Sequence, residues 1–299
     1  MPPLPMETDC PDWIRRCHAA ATARKLINES PPSDTLMQKR AESTHKAGPK
    51  GGKPMDIKGT VALVTGSNRG IGRSFVEALA ARGAAKIYAS AREPAKVADL
   101  VERFKGKVVA LKLDITRPAD IAAAAEACRD VRLLVNNAGI NRQAGLVAAA
   151  DLEAARAEME TNYFGPLSMC RAFSPILAAN GGGAIVNMLS ILARVNLPMY
   201  GSLCASKAAA LSLTQGVRGE LARHGTLVVA VMPGAVDTEM ERNFPPPKLP
   251  PADAAGAALD GVEKGLEEVY PGDMAAGMSQ GLAGDPKAVE KDLAKYLPA

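Results

Sequence analysis

Val61-Ala62-Leu63-Val64-Thr65-Gly66-Ser67-Asn68-Arg69-Gly70-Ile71-Gly72 is the stretch that decides the fold. A short apolar run leads into glycines at i, i+4 and i+6 and then into residues of helical period, which reads as strand, tight turn and helix. Glycine serves such a turn in two ways. A side chain would hold the backbone away from a pyrophosphate, and it would block close packing of the helix on the strand. A helix beginning near Gly70 aims its free N–H groups and positive dipole end at that phosphate. Gly66, Ser67, Asn68, Arg69, Gly70, Ile71 and Gly72 are therefore candidate cofactor contacts. A plain glycine turn is the alternative that this stretch alone leaves open.

From Met55 onward, apolar runs of strand length fall at 60–65, 86–91, 107–113, 133–136, 184–189, 227–232 and 268–270. Segments of helix length separate them at 71–82, 94–104, 118–128, 152–179 and 200–223, with further helical stretches at 252–266 and 285–295. This alternation predicts right-handed βαβ units and an α/β fold: a Rossmann-type, doubly wound parallel sheet forming a single domain over 55–299. Sheets of this kind bind a dinucleotide at the carboxyl ends of the strands, where the strand order reverses. Arg92 follows the second strand, the place where an adenosine ribose is read. An acid there accepts from a 2′-hydroxyl, whereas an arginine favours a 2′-phosphate, so Arg92 and Arg69 argue for NADP over NAD. Asp114 follows the third strand, and Asn137-Ala138-Gly139 follows the fourth, where small residues let the backbone approach a ribose.

Residues 1–54 differ from the rest. Their prolines and the run Gly48-Pro49-Lys50-Gly51-Gly52-Lys53-Pro54 do not support a packed core, and a disordered N-terminal extension is expected, with Met55 as a second natural beginning. Acids at Glu7, Asp9, Asp12, Glu29 and Asp34 argue against a transit peptide. Cys10, Cys17 and His18 lack a second ligand pair at a recognised metal spacing. The net charge of +4 makes no case for nucleic acid, and no apolar run is long enough to cross a membrane. Five scattered cysteines suit a reducing, cytoplasmic setting better than a disulfide framework. With His224 the one histidine beyond residue 45, a histidine triad is not expected.

Thr65–Gly72, Asn136–Gly139, Ser190, Ala205-Ser206-Lys207 and Pro233-Gly234-Ala235-Val236-Asp237-Thr238 resemble, in order and spacing, the motifs of the short-chain dehydrogenase/reductase family. The resemblance implies a nicotinamide cofactor and reversible hydride transfer between an alcohol and a carbonyl compound, commonly in a homodimer or homotetramer. It places Pro233, Gly234, Val236 and Thr238 at the cofactor. It makes Asn162 the asparagine of a proton-relay water, Ser190 the serine that hydrogen-bonds the substrate oxygen, and Lys207 the lysine that holds the nicotinamide ribose.

The family's tyrosine belongs four residues before that lysine, and here the position is Leu203. Leucine has no proton to give, so activity is expected to be impaired while dinucleotide binding persists. Tyr200, at i, i+3 and i+7 with Leu203 and Lys207, is a candidate stand-in; Cys204 reads as a packed helix residue. The alternative is a catalytically inactive dinucleotide-binding sensor or scaffold. A hydrolase fits poorly, since there is no Gly-x-Ser-x-Gly elbow. Segments 191–199 and 240–251 mix apolar residues with proline and are expected to select a small hydrophobic carbonyl or alcohol substrate.

Overall fold

The computed structural model describes residues 53–298. All but the last two residues of the expected N-terminal extension, with Cys10, Cys17 and His18, lie outside the described residues. From Met55 the chain joins the core: its N–H donates to the Val262 carbonyl (3.2 Å), and Ile57 is fully buried.

Seven parallel strands form one sheet in the order β3-β2-β1-β4-β5-β6-β7. They are β1 (Val61–Val64), β2 (Lys86–Ala91), β3 (Val108–Lys112), β4 (Leu133–Asn136), β5 (Gly183–Met188), β6 (Thr226–Val231) and β7 (Glu268–Val269). β1 pairs with β2 on one side and β4 on the other, so the order reverses there, and the crevice beyond Val64 and Asn136 is the natural ligand position. Successive side chains point to opposite faces: Ala62 and Val64 join one apolar cluster and Leu63 the other. Both faces are covered, which is why the central strands are apolar throughout rather than alternating. Helices α1 (Gly70–Ala81), α2 (Ala98–Arg103) and α7 (Pro251–Lys264) cover the first face. The second is covered by α3 (Pro118–Ala127), α5 (Gly165–Ala179) and α6 (Gly201–Leu221).

Three elements differ from the sequence expectation. The segment at 152–179 is not one helix: α4 (Glu153–Met159) passes through a π turn (Glu160–Phe164) into α5. Pro166 has no N–H for the carbonyl four residues back, that of Asn162, and the helix widens where that bond is lost. The stretch at 94–104 opens as a 3₁₀ turn (Pro94–Val97) before α2. A further helix, α8 (Gly272–Gly284), stands where no element was expected, followed by α9 (Pro286–Leu293), capped by the Asp285 carboxylate on the Ala288 N–H (3.0 Å). Glycines at 272, 277, 281 and 284 hide α8 from propensity, but burying Met274, Ala275 and Met278 stabilises it. Among the described residues no helix is long and apolar enough to cross a membrane.

Phe173 on α5 is fully buried beneath the sheet. Phe173→Ala is expected to lower stability by about 3–5 kcal/mol in urea unfolding, and an unchanged midpoint would remove it from the core.

Candidate active site

The turn after β1 is built around close backbone approach. Gly66 and Gly70 have φ of 67° and 53°, the left-handed region where a side chain is strained. A Cβ on Gly72 would lie 2.1 Å from the Gly66 carbonyl oxygen and 2.5 Å from Asn137 Nδ2. Asn137 Nδ2 donates to the carbonyls of Thr65 (2.8 Å) and Gly66 (3.2 Å). Thr65 Oγ1 in turn accepts from the N–H groups of Asn137 (2.9 Å) and Ala138 (3.0 Å). These bonds stitch the loops after β1 and β4 together across the reversal point. Ser67 lies beneath this surface rather than on it. It is fully buried, its hydroxyl donating to the Val64 carbonyl (2.8 Å) and its N–H to that of Ser90 (2.8 Å). It shapes the turn and does not face the cavity, because the turn must close on β2 before α1 can start.

Above the turn opens a cavity of about 520 Å³. Its wall holds Gly66, Asn68, Arg69, Gly70, Ile71 and Gly72, then Arg92, Asp114, Asn137, Ala138 and Gly139. Farther along come Ser190, Leu203, Lys207, Pro233, Gly234, Val236 and Thr238. The residues singled out from the sequence, scattered over some 170 positions, thus converge on one cavity, Ser67 and Asn162 excepted. The first turn of α1 has no side-chain cap and no acid, so its N–H groups are free for an anion. Arg69 pairs with Glu239, whereas Arg92 is exposed at the wall. Burial works to raise the Asp114 carboxyl, but hydrogen bonds from the Thr116 N–H (3.0 Å) and hydroxyl (2.7 Å), with the charges of Arg92 and Arg117, hold it below the usual range.

At the far end, Ser190 follows β5 with extended backbone. Its Oγ accepts the Leu192 N–H (3.1 Å), which leaves its own O–H to donate. Lys207 Nζ donates to the Met188 carbonyl (2.8 Å). Part of the lysine reaches the cavity surface, yet its surroundings are dense enough that desolvation pulls it down to about 8, with the charge of Glu158 acting the other way. Asn162 lies behind the wall at 2 % exposure. Its Oδ1 accepts the Ile140 N–H (2.9 Å), and its Nδ2 donates to the Ile140 carbonyl (2.9 Å) and to Ser206 Oγ (3.0 Å). The asparagine therefore clamps the β4 loop to α6.

Leu203 is buried in an apolar cluster with Ile191, Leu197, Tyr200, Met274 and Met278. Tyr200 precedes α6, ending a 3₁₀ turn (Pro198–Tyr200), and it shares the cavity wall with Leu203 and Lys207. Burial, with the nearby charge of Glu241, pushes its hydroxyl up to about 12.

Glu241 of the wall, and Asn141 behind it, escaped the sequence reading. Asn141 Nδ2 donates to Glu241 Oε1 (3.2 Å), joining the β4 loop to the loop after β6. Burial raises the Glu241 carboxyl above its ordinary value against the pull of Asn141 and Lys248. Both lie in aperiodic loops, where no spacing marks a residue as inward. The remaining wall here is apolar, with Ile191, Leu192, Leu197, Phe244, Met274 and Met278.

A family model described as short chain dehydrogenase matches residues 60–248. Galactitol 2-dehydrogenase of Agrobacterium fabrum is 37% identical over 193 residues, 62% of this chain and 73% of that protein. Among solved structures, a short chain dehydrogenase from Burkholderia cenocepacia in complex with NADP is 52% identical, with a TM-score of 0.76 over 80% of this chain and 99% of that one. A short-chain dehydrogenase from Sphingobium yanoikuyae in complex with NADPH is 30% identical, with a TM-score of 0.67 over 78% and 95% of the two chains.

Asn162→Ala would strand the Ile140 N–H and carbonyl without partners and leave the Ser206 hydroxyl with its bond to the Leu203 carbonyl (2.8 Å). It is expected to cost about 1–3 kcal/mol in urea unfolding, and no shift of the midpoint would show that the clamp is dispensable.

Proposed function

The chain belongs to the short chain dehydrogenase family, and from that premise we propose that it is an NADP-binding oxidoreductase whose proton step is disabled at Leu203. The observation that carries this reading is the cavity itself: the dinucleotide cradle and the substrate serine line one wall with an apolar leucine where a phenol is required. The glycine turn fits a pyrophosphate, since a Cβ at Gly70 would lie 3.1 Å from the Thr238 side chain and one at Gly72 against backbone. Gly66–Gly72 and Thr238 would hold the phosphates, Arg92 with Arg69 a 2′-phosphate, and Asp114 the adenine side. Asn137, Ala138, Gly139 and Lys207 would hold the nicotinamide riboside with Pro233, Gly234 and Val236. When bound, the nicotinamide supplies or accepts a hydride.

The chain's own groups then divide the remaining work. Ser190 donates its O–H to the substrate oxygen and stabilises developing negative charge. Lys207 presents an ammonium to the ribose hydroxyls. Asn162 keeps Gly139 and Ile140 in register with α6. Leu203 excludes water from the reacting oxygen but offers no proton, and general acids typically contribute ~10²–10⁴-fold. Tyr200 faces the same cavity, but a hydroxyl held near 12 without a cation on it is a poor acid at neutral pH. The apolar wall supports a small hydrophobic carbonyl or alcohol as substrate.

Residues 55–299 would form this catalytic domain. The buried free thiols of Cys128, Cys170 and Cys204 support a reducing, cytoplasmic setting. On α6, a Cβ at Gly216 or Gly219 would meet open space, a flat face that supports pairing with a second copy in a homodimer or homotetramer. A second reading, a dinucleotide-binding sensor or scaffold, is favoured by how completely Leu203 is absorbed into its cluster.

NADPH consumption with a panel of aldehydes and ketones is expected to rise ~10²-fold or more in Leu203→Tyr. Equal rates in both chains would overturn the account of position 203; NADPH binding without turnover in either would favour the sensor. Arg92→Ala is expected to weaken NADPH binding by roughly tenfold or more and to leave NADH binding unchanged, as read by fluorescence titration.

A further inference from the structure

Glu158 is fully buried, on α4, one helical turn before Asn162. One carboxylate oxygen, Oε1, accepts the Arg142 N–H (2.6 Å); the other, Oε2, has no hydrogen-bond partner. A buried carboxylate with an orphaned oxygen is costly and calls for a compensating charge. α4 packs against α6, and the groups on α6 that feel the Glu158 charge are Lys207 and Cys204, one turn apart. The lysine is itself under-partnered: among the described residues its one hydrogen bond is to the Met188 carbonyl, although an ammonium has three donors. No direct ion pair joins the two among the described residues.

We propose that Glu158 is a positioning residue, the buried counter-charge that keeps Lys207 an ammonium across the α4–α6 contact. Its consequence for cofactor rests on the dinucleotide reading above: with leucine at 203 the lysine has no phenol to act on, and its remaining task is to donate to ribose hydroxyls as a cation. Desolvation opposes that task, since it drives the lysine toward the neutral amine near physiological pH. Among the described residues, Glu158 is the one charged side chain that acts against it. Arg142, Glu160, Tyr200 and Glu241 also line the cavity, and none of them shifts Lys207. Loop anchoring through the Arg142 N–H uses only Oε1, and Oε2 keeps no hydrogen-bond partner among the described residues.

The test is a titration of the full chain labelled with ¹³C at the lysine ε-carbons, with the Lys207 resonance assigned by its loss in Lys207→Arg. In the native chain it is expected to titrate near pH 8. In Glu158→Gln the midpoint is expected to fall by about 0.5–1 unit, and in Glu158→Asp, which retracts the charge by one methylene, to fall less. A native midpoint in folded Glu158→Gln overturns the proposal, and so does an equal fall in both variants, which would mark a structural role. NADPH affinity followed over the same pH range should decline at lower pH in Glu158→Gln than in the native chain. If the native chain binds no NADPH, the dinucleotide reading fails, while the ligand-free lysine titration still decides the role of Glu158.

Discussion

The contact between Gly72 and the Gly66 carbonyl oxygen governs the rest of the structure. With room for no atom larger than hydrogen, the first turn of α1 lies directly on the turn that precedes it. That approach frees the α1 N–H groups to face outward, forces Ser67 inward and leaves the Asn137 amide as the bridge to the neighbouring loop. A cavity floor of backbone, rather than side chains, follows. Such a floor can meet a phosphate because it is already desolvated on its inner side and has its donors in place.

A second constraint is the helix that changes its winding. Losing the N–H at Pro166 lets the chain open into a π turn over Glu160–Phe164, and Asn162 sits inside it at the one place where it can reach both Ile140 and Ser206. The same helix carries Glu158 into the interior beside α6. One proline thus decides how Asn162 is set behind the far end of the cavity. Ser190, Asn162 and Lys207 each hold a hydrogen bond beside Leu203, while Glu158 Oε2 has none among the described residues and position 203 itself is apolar. Leu203 fits its cluster so well because Met274 and Met278, flexible side chains from α8, fill around it.

Much of the fold was legible along the chain. β2 and β4 fall on the expected residues, and the other strands lie within one or two positions of them, because doubly covered strands write continuous apolar runs. The glycine turn, Arg92 and Asn137 were legible because each follows a strand whose end the pattern marks, and Lys207 through the Ala205-Ser206-Lys207 motif. α8 was not, since glycines erase its propensity, nor was the π turn, whose cause is one proline inside a long helical segment. Asn141, Glu158 and Glu241 left no periodic trace.

By itself the sequence determined the class of sheet and the absence of a phenol four residues before Lys207, both matters of local pattern and spacing. Only the tertiary structure decided which scattered residues share a wall, that Ser67 and Asn162 serve from behind it, and that the Glu158 carboxylate lies buried against the helix of Lys207. The physical reason is range: backbone propensity and apolar period act over a few residues. Burial and charge act between elements more than forty positions apart, and they take effect only once the layers have packed.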